Sequence, residues 1–263
     1  MRWIRFFYKI LFFNISLVLF FTFAIITYLF CGFNINKARK YLVKAVSFGC
    51  ILCLKVFGIK VNLSKVPTSL KKRSYLIACN HLSYTDIFII NKYFSGCFIT
   101  SLEIKKTPYL GWICTLSGCL FVNRKNRSNI ANEIHEISAV LERGLNIVFF
   151  PEATSTDGSS VINFKKSLFQ AAVIAKAPVL PLCINYKTVD GNKVDKINRD
   201  SVFWYGDQSF FPHMVRFFSC KKIEVELSIL EPIDLVSGYN DDKVILAETA
   251  YSMIKGNFEP VGI

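Results

Sequence analysis

The chain has 263 residues, enough for one globular domain of about 200 residues with an N-terminal appendage but not for a second catalytic domain. Lysine and arginine total 32 against 19 acidic residues, so the net charge of +13 favours anionic lipids, phosphorylated substrates or acidic carriers as partners. The basic residues are scattered, 52% of the chain is hydrophobic and no zinc-finger or RNA-binding signature occurs, so nucleic acid is not expected.

The first sixty residues predict a membrane anchor. Residues 10–36 carry no charge and form a run longer than the 20 or so residues that cross a bilayer. The run is too long for a signal-peptide core and no small-x-small cleavage site follows it, so retention is favoured over cleavage. Both flanks are basic, and the positive-inside rule therefore does not choose an orientation. We expect two helices, the second over residues 41–57, that hold both flanks on the cytoplasmic face of the inner membrane.

Beyond residue 59, short apolar runs alternate with helical periods, a pattern that predicts an α/β layer structure. The predicted strands cover residues 75–79, 97–100, 119–122, 146–150, 179–185 and 223–230. The predicted helices cover residues 86–94, 109–116, 128–143, 164–176 and 242–255. The expected division is an anchor over residues 1–58 and a catalytic domain over residues 59–263.

Residues 80–86 set an imidazole and a carboxylate close together directly after a predicted buried strand. On one continuous helix His81 and Asp86 would diverge by about 140°, so a turn must intervene if they are to touch. Ser83 can supply that turn as an N-cap that starts a helix at Tyr84. Asp86 could then fix the tautomer of His81 and leave Nε2 free as a base. The same residues also fit a capping box beside an ordinary loop histidine.

Two further polar groups follow predicted strands. Arg124 ends one apolar run with a guanidinium that can grip a phosphate, and Glu152 follows another in the sequence F-P-E-A-T-S. Alone, the first is an ordinary surface charge and the second a capped turn. Because ligands of α/β sheets bind outside the carboxyl ends of the strands, we expect His81, Arg124 and Glu152 to converge.

The order and spacing of four blocks make the chain resemble the glycerolipid acyltransferases typified by 1-acylglycerol-3-phosphate acyltransferase. That family is marked by N-H-x-x-x-x-D, G-x-x-F-V-x-R, F-P-E-G-T-[RS] and a V-P-[VIL]-P-like strand, found here at residues 80–86, 118–124, 150–155 and 177–181. The first and third blocks together are a specific signal. The resemblance covers residues 60–235 or so and implies a mixed sheet flanked by helices behind a hydrophobic helical anchor.

The resemblance implies transfer of a fatty acyl group from acyl-CoA or acyl carrier protein to the free hydroxyl of lysophosphatidic acid, which gives phosphatidic acid. His81 would be the general base and Asp86 its orienting partner. Arg124 would hold the acceptor phosphate, with Thr154 and Ser155 as secondary donors. Glu152 would order Arg124 or the following turn, or bind a glycerol hydroxyl. Alternative functions are acylation of another lysolipid, such as lyso-ornithine lipid, and non-catalytic lipid binding at the membrane.

The chain departs from the family pattern at several positions. Ala153 replaces the usual glycine, and a positive φ there would cost about 1 kcal/mol. Ser101 stands where many members carry lysine, which leaves the acceptor head group open. Residues 204–207 and 211–213 resemble the branch that includes lyso-ornithine-lipid acyltransferases.

No metal or other cofactor is expected. The chain has three histidines, of which no pair has zinc-ligand spacing, and His135 lies between two glutamates on a predicted helix as a surface residue. The acyl donor would serve as a substrate rather than as a resident group. Nine cysteines, an odd number within apolar runs, are typical of a reducing compartment.

Overall fold

The computed structural model describes residues 2–123, 128–235 and 242–262. The strands in chain order are β1 (Ile59–Lys65), β2 (Leu76–Cys79), β3 (Gly96–Ser101), β4 (Leu120–Val122), β5 (Asn146–Phe149), β6 (Val179–Val189), β7 (Asn192–Lys193) and β8 (Ile223–Ile229). The helices in chain order are α1 (Arg2–Phe30), α2 (Ile35–Phe57), α3 (Asp86–Tyr93), α4 (Leu102–Lys106), α5 (Leu110–Leu116), α6 (Ile130–Glu142), α7 (Gln170–Ala175), α8 (Phe210–Ser219) and α9 (Lys243–Lys255).

The strands form one mixed sheet in the order β1-β8-β6-β2-β5-β3-β4, with β7 paired to β6. The central strands β6, β2, β5, β3 and β4 are parallel, whereas β8 runs antiparallel to β6 and parallel to β1. The predicted α/β class with a mixed sheet flanked by helices is thereby confirmed. The carboxyl ends of β2, β3, β4 and β5 meet at one edge, which is where the candidate site lies.

Both faces of the sheet are covered by helices. Alternate side chains of β2 point to opposite faces, so that Ile77 and Cys79 pack in one core and Leu76 and Ala78 in the other. The first core contains residues of α2, α3 and α8, and the second contains residues of α6, α7 and α9. Burial on both faces explains why the central strands read as continuous apolar runs.

Helices α2, α7 and α8 differ from prediction, and α4 was not predicted. The second N-terminal helix begins at Ile35 rather than at residue 41, because the Asn34 side chain accepts hydrogen bonds from the amides of Asn36 and Lys37 and so caps it. The helix predicted over residues 164–176 is reduced to a 3-10 turn and α7, since the Lys165 amide donates to the Pro151 carbonyl and ties this stretch to the preceding loop. Helix α8 was not predicted, although its proline lies in the first turn, where proline is tolerated.

Strand β1 was also missed, because it is an edge strand that buries only Ile59 and Val61 and otherwise alternates with polar residues. The surface position predicted for His135 is confirmed, since this residue is exposed on α6.

Helix α1 is the one helix within the described ranges that is long and apolar enough to cross a membrane, over Trp3–Phe30, and most of its surface is exposed. Its first turns contact the ends of α2 and α8: Lys9 Nζ donates to the carbonyls of Phe57 at 2.8 Å and Cys220 at 2.7 Å. Near its other end, Tyr28 Oη donates to the Thr115 carbonyl at 3.4 Å. Lys9 and Tyr28 are separated by about 28 Å of helix. Helix α1 therefore lies along the domain and contacts it near both ends.

Candidate active site

The loop between β2 and α3 carries the predicted imidazole and carboxylate. The Asn80 side chain fixes the start of this loop, since its amide donates to the Ile184 carbonyl at 3.0 Å and its oxygen accepts from the Ile184 amide at 2.8 Å. Asn80 is buried, and both polar atoms of its side chain hydrogen-bond to β6. Its contribution is to hold the strand end from which His81 projects.

His81 and Asp86 are in direct contact, with 2.9 Å between His81 Nδ1 and Asp86 Oδ2. The same carboxylate oxygen accepts from the backbone amides of Leu82 at 2.8 Å and Ser83 at 2.9 Å. An ionised carboxylate only accepts hydrogen bonds, so it assigns the proton to Nδ1 and leaves Nε2 as the basic nitrogen. The predicted approach of the two side chains is confirmed.

The turn that unites the pair differs from the predicted one. Helix α3 begins at Asp86 rather than at Tyr84, and its N-cap is Thr85, which makes no side-chain cap hydrogen bond. Ser83 instead closes the preceding turn, in which its carbonyl accepts from the Asp86 amide at 3.0 Å. The Ser83 hydroxyl accepts from the Thr85 amide at 3.4 Å, while the Asp86 carboxylate accepts from the amides of Leu82 and Ser83 and so lies against the ring.

Tyr186 completes the surroundings of the carboxylate and was missed by the sequence reasoning. Its hydroxyl donates to Asp86 Oδ1 at 2.8 Å and lies 2.6 Å from Thr85 Oγ1. Asp86 is fully buried and Tyr186 is 5% exposed, so water has little access to this contact. Tyr186 lies on β6, 100 residues from Asp86, and no pattern near the histidine motif points to it.

The His81 ring stacks on Phe150, with ring centroids 3.9 Å apart and planes inclined by 12°. Phe150 directly follows β5 and begins the F-P-E sequence. The stacking and the bond to Asp86 together fix both the plane and the rotation of the imidazole. The first and third sequence blocks thus contact each other through the stacked rings of His81 and Phe150.

The Glu152 side chain binds the backbone of the same loop. Its Oε1 accepts from the His81 amide at 2.7 Å and its Oε2 from the Ile162 amide at 2.9 Å, while only 2% of the residue is exposed. Burial raises the pKa of Glu152 from 4.5 to about 7; the charge of Asp86 adds to this rise, whereas the two backbone amides oppose it. The convergence of Glu152 with His81 is confirmed, and it occurs through the histidine backbone.

The turn after Glu152 is backbone-strained. Ala153 adopts a φ of 62°, so the energetic cost considered for this position from the sequence applies. Thr154 is exposed, and Ser155 Oγ donates to the Trp204 carbonyl at 2.5 Å. Thr154 and Ser155 both line the cavity described below. Arg124 lies outside the described residues.

A cavity of about 520 Å³ opens beside His81. Most of its wall is apolar, with Phe98, Ile104 and Leu110 among the lining side chains. Lys165 is the one cationic side chain among the described lining residues, and the sequence reasoning did not single it out. The cavity therefore combines a base, one cation and an apolar compartment.

A second histidine lies behind the cavity wall. His213 is completely buried, and its Nδ1 lies 3.0 Å from the hydroxyl of Tyr84, which lines the cavity. Burial lowers the pKa of His213 to about 4, helped by the charge of Arg216, so this ring is neutral near pH 7. It anchors Tyr84 as an uncharged hydrogen-bond partner.

Comparison with known proteins agrees with this architecture. Residues 59–185 match the family model described as acyltransferase, so the class of the protein is that of an acyltransferase. The chain is 32% identical over 194 residues to a 1-acyl-sn-glycerol-3-phosphate acyltransferase of Neisseria meningitidis, covering 74% of this chain and 72% of that protein. The chain belongs to the acyltransferase family that includes such enzymes, as its sequence blocks predict.

Other relatives carry a different acceptor in their names. A lyso-ornithine lipid O-acyltransferase of Rhizobium meliloti is 27% identical over 205 residues, covering 75% of this chain and 68% of that protein. The crystal structure of a 1-acyl-sn-glycerophosphate acyltransferase from Thermotoga maritima matches with a TM-score of 0.65 and 23% identity, over 98% of this chain and 96% of that one. The structural match confirms the fold.

Proposed function

We propose that the protein transfers a fatty acyl group from acyl-CoA or acyl carrier protein to the free hydroxyl of lysophosphatidic acid, which gives phosphatidic acid for phospholipid synthesis. The observation that carries the proposal is the 2.9 Å contact between His81 and Asp86 at the edge of a largely apolar cavity. The contact provides a base and the cavity provides room for an acyl chain.

His81 Nε2 takes the proton of the lysolipid hydroxyl as its oxygen attacks the thioester carbonyl carbon. Asp86 holds the ring and stabilises the imidazolium that forms. When the tetrahedral intermediate collapses, the carbon–sulfur bond breaks and the leaving thiolate takes the proton back from Nε2. A thioester is already activated, so no acyl-enzyme adduct is required.

The acceptor phosphate needs cationic or hydroxyl partners. Arg124 is the candidate from the sequence, and among the described residues Lys165 offers a cation at the cavity wall. Thr154 and Ser155 line the same cavity as Lys165 and offer hydroxyl groups. Glu152 uses both carboxylate oxygens on backbone amides, which supports a role in placing the His81 loop rather than in gripping a phosphate.

We place α1 in the plane of the cytoplasmic leaflet of the inner membrane. Its contacts with the catalytic domain near both ends, through Lys9 and Tyr28, favour an in-plane helix over a span, which would separate the flanks. An impermeant thiol reagent should therefore label Trp3→Cys, at the start of α1, and Lys37→Cys, beyond its end, from the same, cytoplasmic side. Labelling of the two positions from opposite sides would contradict the placement.

The second candidate acceptor is lyso-ornithine lipid, which is supported by relatives of that name. The purified full-length protein should be given lysophosphatidic acid and lyso-ornithine lipid with labelled acyl donors, and the products identified by mass. His81→Ala should lower turnover about 10²- to 10⁴-fold and retain acceptor binding. His135→Ala is the matched control, because this histidine is exposed on α6. Undiminished turnover in His81→Ala would refute the mechanism, and no product from either acceptor would refute the substrate class.

A further inference from the structure

We infer that the helical hairpin of α4 and α5, residues 102–116, inserts into the bilayer as a second membrane element and forms the lipid-facing mouth of the catalytic cavity. The inference rests on the membrane association of the protein and is independent of which lysolipid is the acceptor. Four features of the hairpin carry it: exposure, continuity with α1, a strained and rigid turn, and a shared wall with the cavity.

The outer surface of the hairpin is apolar and unusually exposed. Tyr109 is 72% exposed and Trp112 62%, and within α5 only Gly111 is buried. The Tyr109 and Trp112 rings contact each other edge to face, with centroids 5.5 Å apart. Tyrosine and tryptophan have an apolar body with a polar tip, which suits the boundary between lipid tails and head groups.

This aromatic surface continues the apolar surface of α1. The Thr115 carbonyl of α5 accepts the hydrogen bond from Tyr28 of α1, and Leu116 packs against the small cluster that Ala24 of α1 forms with α2. A bilayer that receives the exposed side of α1 therefore lies beside α5 as well. Contiguous apolar patches of this kind mark interaction surfaces.

The turn of the hairpin is held in one shape. Tyr109 has a φ of 61°, a conformation that costs a bulky residue of the order of 1 kcal/mol or more. A Cβ on Gly111 would come within 2.1 Å of the Lys105 carbonyl oxygen, so α4 and α5 approach as closely as their backbones allow. The fold thus tolerates strain to keep an aromatic ring in an exposed position.

The inner side of the same hairpin lines the catalytic cavity. Ile104 and Leu110 belong to the wall of the cavity that contains His81, as does Cys114. The hairpin therefore forms a wall that separates the cavity from the surroundings of the protein. If the outside is lipid, an acyl chain can move between bilayer and cavity without exposing its methylene groups to water.

Charge points to a bilayer with anionic head groups. Lys105 and Lys106 are exposed one turn before Tyr109, and the whole chain carries a net charge of +13. Lysines placed next to interfacial aromatic residues bind anionic lipid surfaces, each contributing modestly. Two other occupants, a second copy of the chain and an acidic carrier protein, give different results in the test below.

The test uses the full-length protein bound to vesicles of phosphatidylcholine and phosphatidylglycerol. The fluorescence of Trp112 is isolated as the difference between the unmodified protein and Trp112→Phe, with the other two tryptophans retained in both. We expect lipids brominated on their acyl chains to quench this difference signal and aqueous acrylamide to leave it largely intact. Quenching by acrylamide alone would overturn the inference in favour of an aqueous surface, and resistance to both quenchers would favour a protein–protein contact.

A kinetic comparison tests the role of the mouth. Trp112→Ser should raise the KM for an acceptor embedded in vesicles on the order of tenfold, because part of a large apolar contact with lipid is lost. Turnover of a short-chain, water-soluble acceptor should stay within about twofold. Ile245→Ser changes an exposed apolar side chain on α9, which is not among the described lining residues of the cavity; it is the matched control and should change neither. Equal losses on both acceptors would mean that the hairpin serves stability alone.

Discussion

Removal of one hydroxyl group, in Tyr186→Phe, should weaken both the fold and the catalytic pair. The lost hydrogen bond is 2.8 Å long and ends on Asp86 Oδ1, a carboxylate oxygen of a fully buried residue. Hydrogen bonds to charged groups contribute about 1.5–3 kcal/mol, and water cannot easily replace a donor at this depth. We expect the free energy of unfolding to fall by about that amount, measured by chemical denaturation in detergent micelles.

The catalytic effect should be smaller than that of deleting the base. Asp86 Oδ2 keeps its contacts with His81 and the amides of Leu82 and Ser83, so the pair stays assembled but loses one restraint. We expect kcat to fall about tenfold, equivalent to about 1.4 kcal/mol, with both KM values within about twofold.

Tyr75→Phe is the matched control for this experiment. Tyr75 is equally buried, and its hydroxyl donates to the Lys71 carbonyl at 2.9 Å, at the end of β2 remote from His81. This variant should lose stability and keep kcat. If Tyr186→Phe behaved in the same way, its hydroxyl would support the fold without positioning Asp86, and the reasoning would be refuted.

Two predictions concern the turn after β5. Ala153→Gly should raise the free energy of unfolding by about 1 kcal/mol, because glycine adopts the observed φ of 62° without strain; an unchanged or lower value in denaturation would contradict this. Glu152 has a pKa raised by burial from 4.5 to about 7, so the folded state binds its proton more tightly than the unfolded state. The stability that this group contributes is present below pH 4.5 and is lost as the pH rises through about 7. The unfolding free energy of the unmodified protein relative to Glu152→Gln should therefore fall by roughly 3 kcal/mol across that window, and a flat or rising difference would refute the assignment.

The amino-acid sequence alone was sufficient for the class of fold, the family and the central pair of side chains. Strands buried on both faces leave continuous apolar runs, and the polar residues directly after β2 and β5 stand out against them. His81 and Asp86 are five positions apart, so a local turn brings them together and the motif reports that turn directly. The helix start predicted at Tyr84 was nevertheless wrong, because the Asp86 carboxylate folds back onto the Leu82 and Ser83 amides and the helix begins only at Asp86.

What lies far apart in the chain was decided by tertiary structure. Tyr186 reaches Asp86 because β6 lies beside β2 in the sheet, and Glu152 reaches the His81 backbone because β5 flanks β2 on the other side. The placement of α1 along the domain likewise depends on contacts of Lys9 with α2 and α8. The local sequence pattern determines whether a segment tends to form a helix or a strand and which polar residues follow it, whereas the strand order of the sheet determines which distant residues become neighbours. That order emerges when all the apolar faces are buried together.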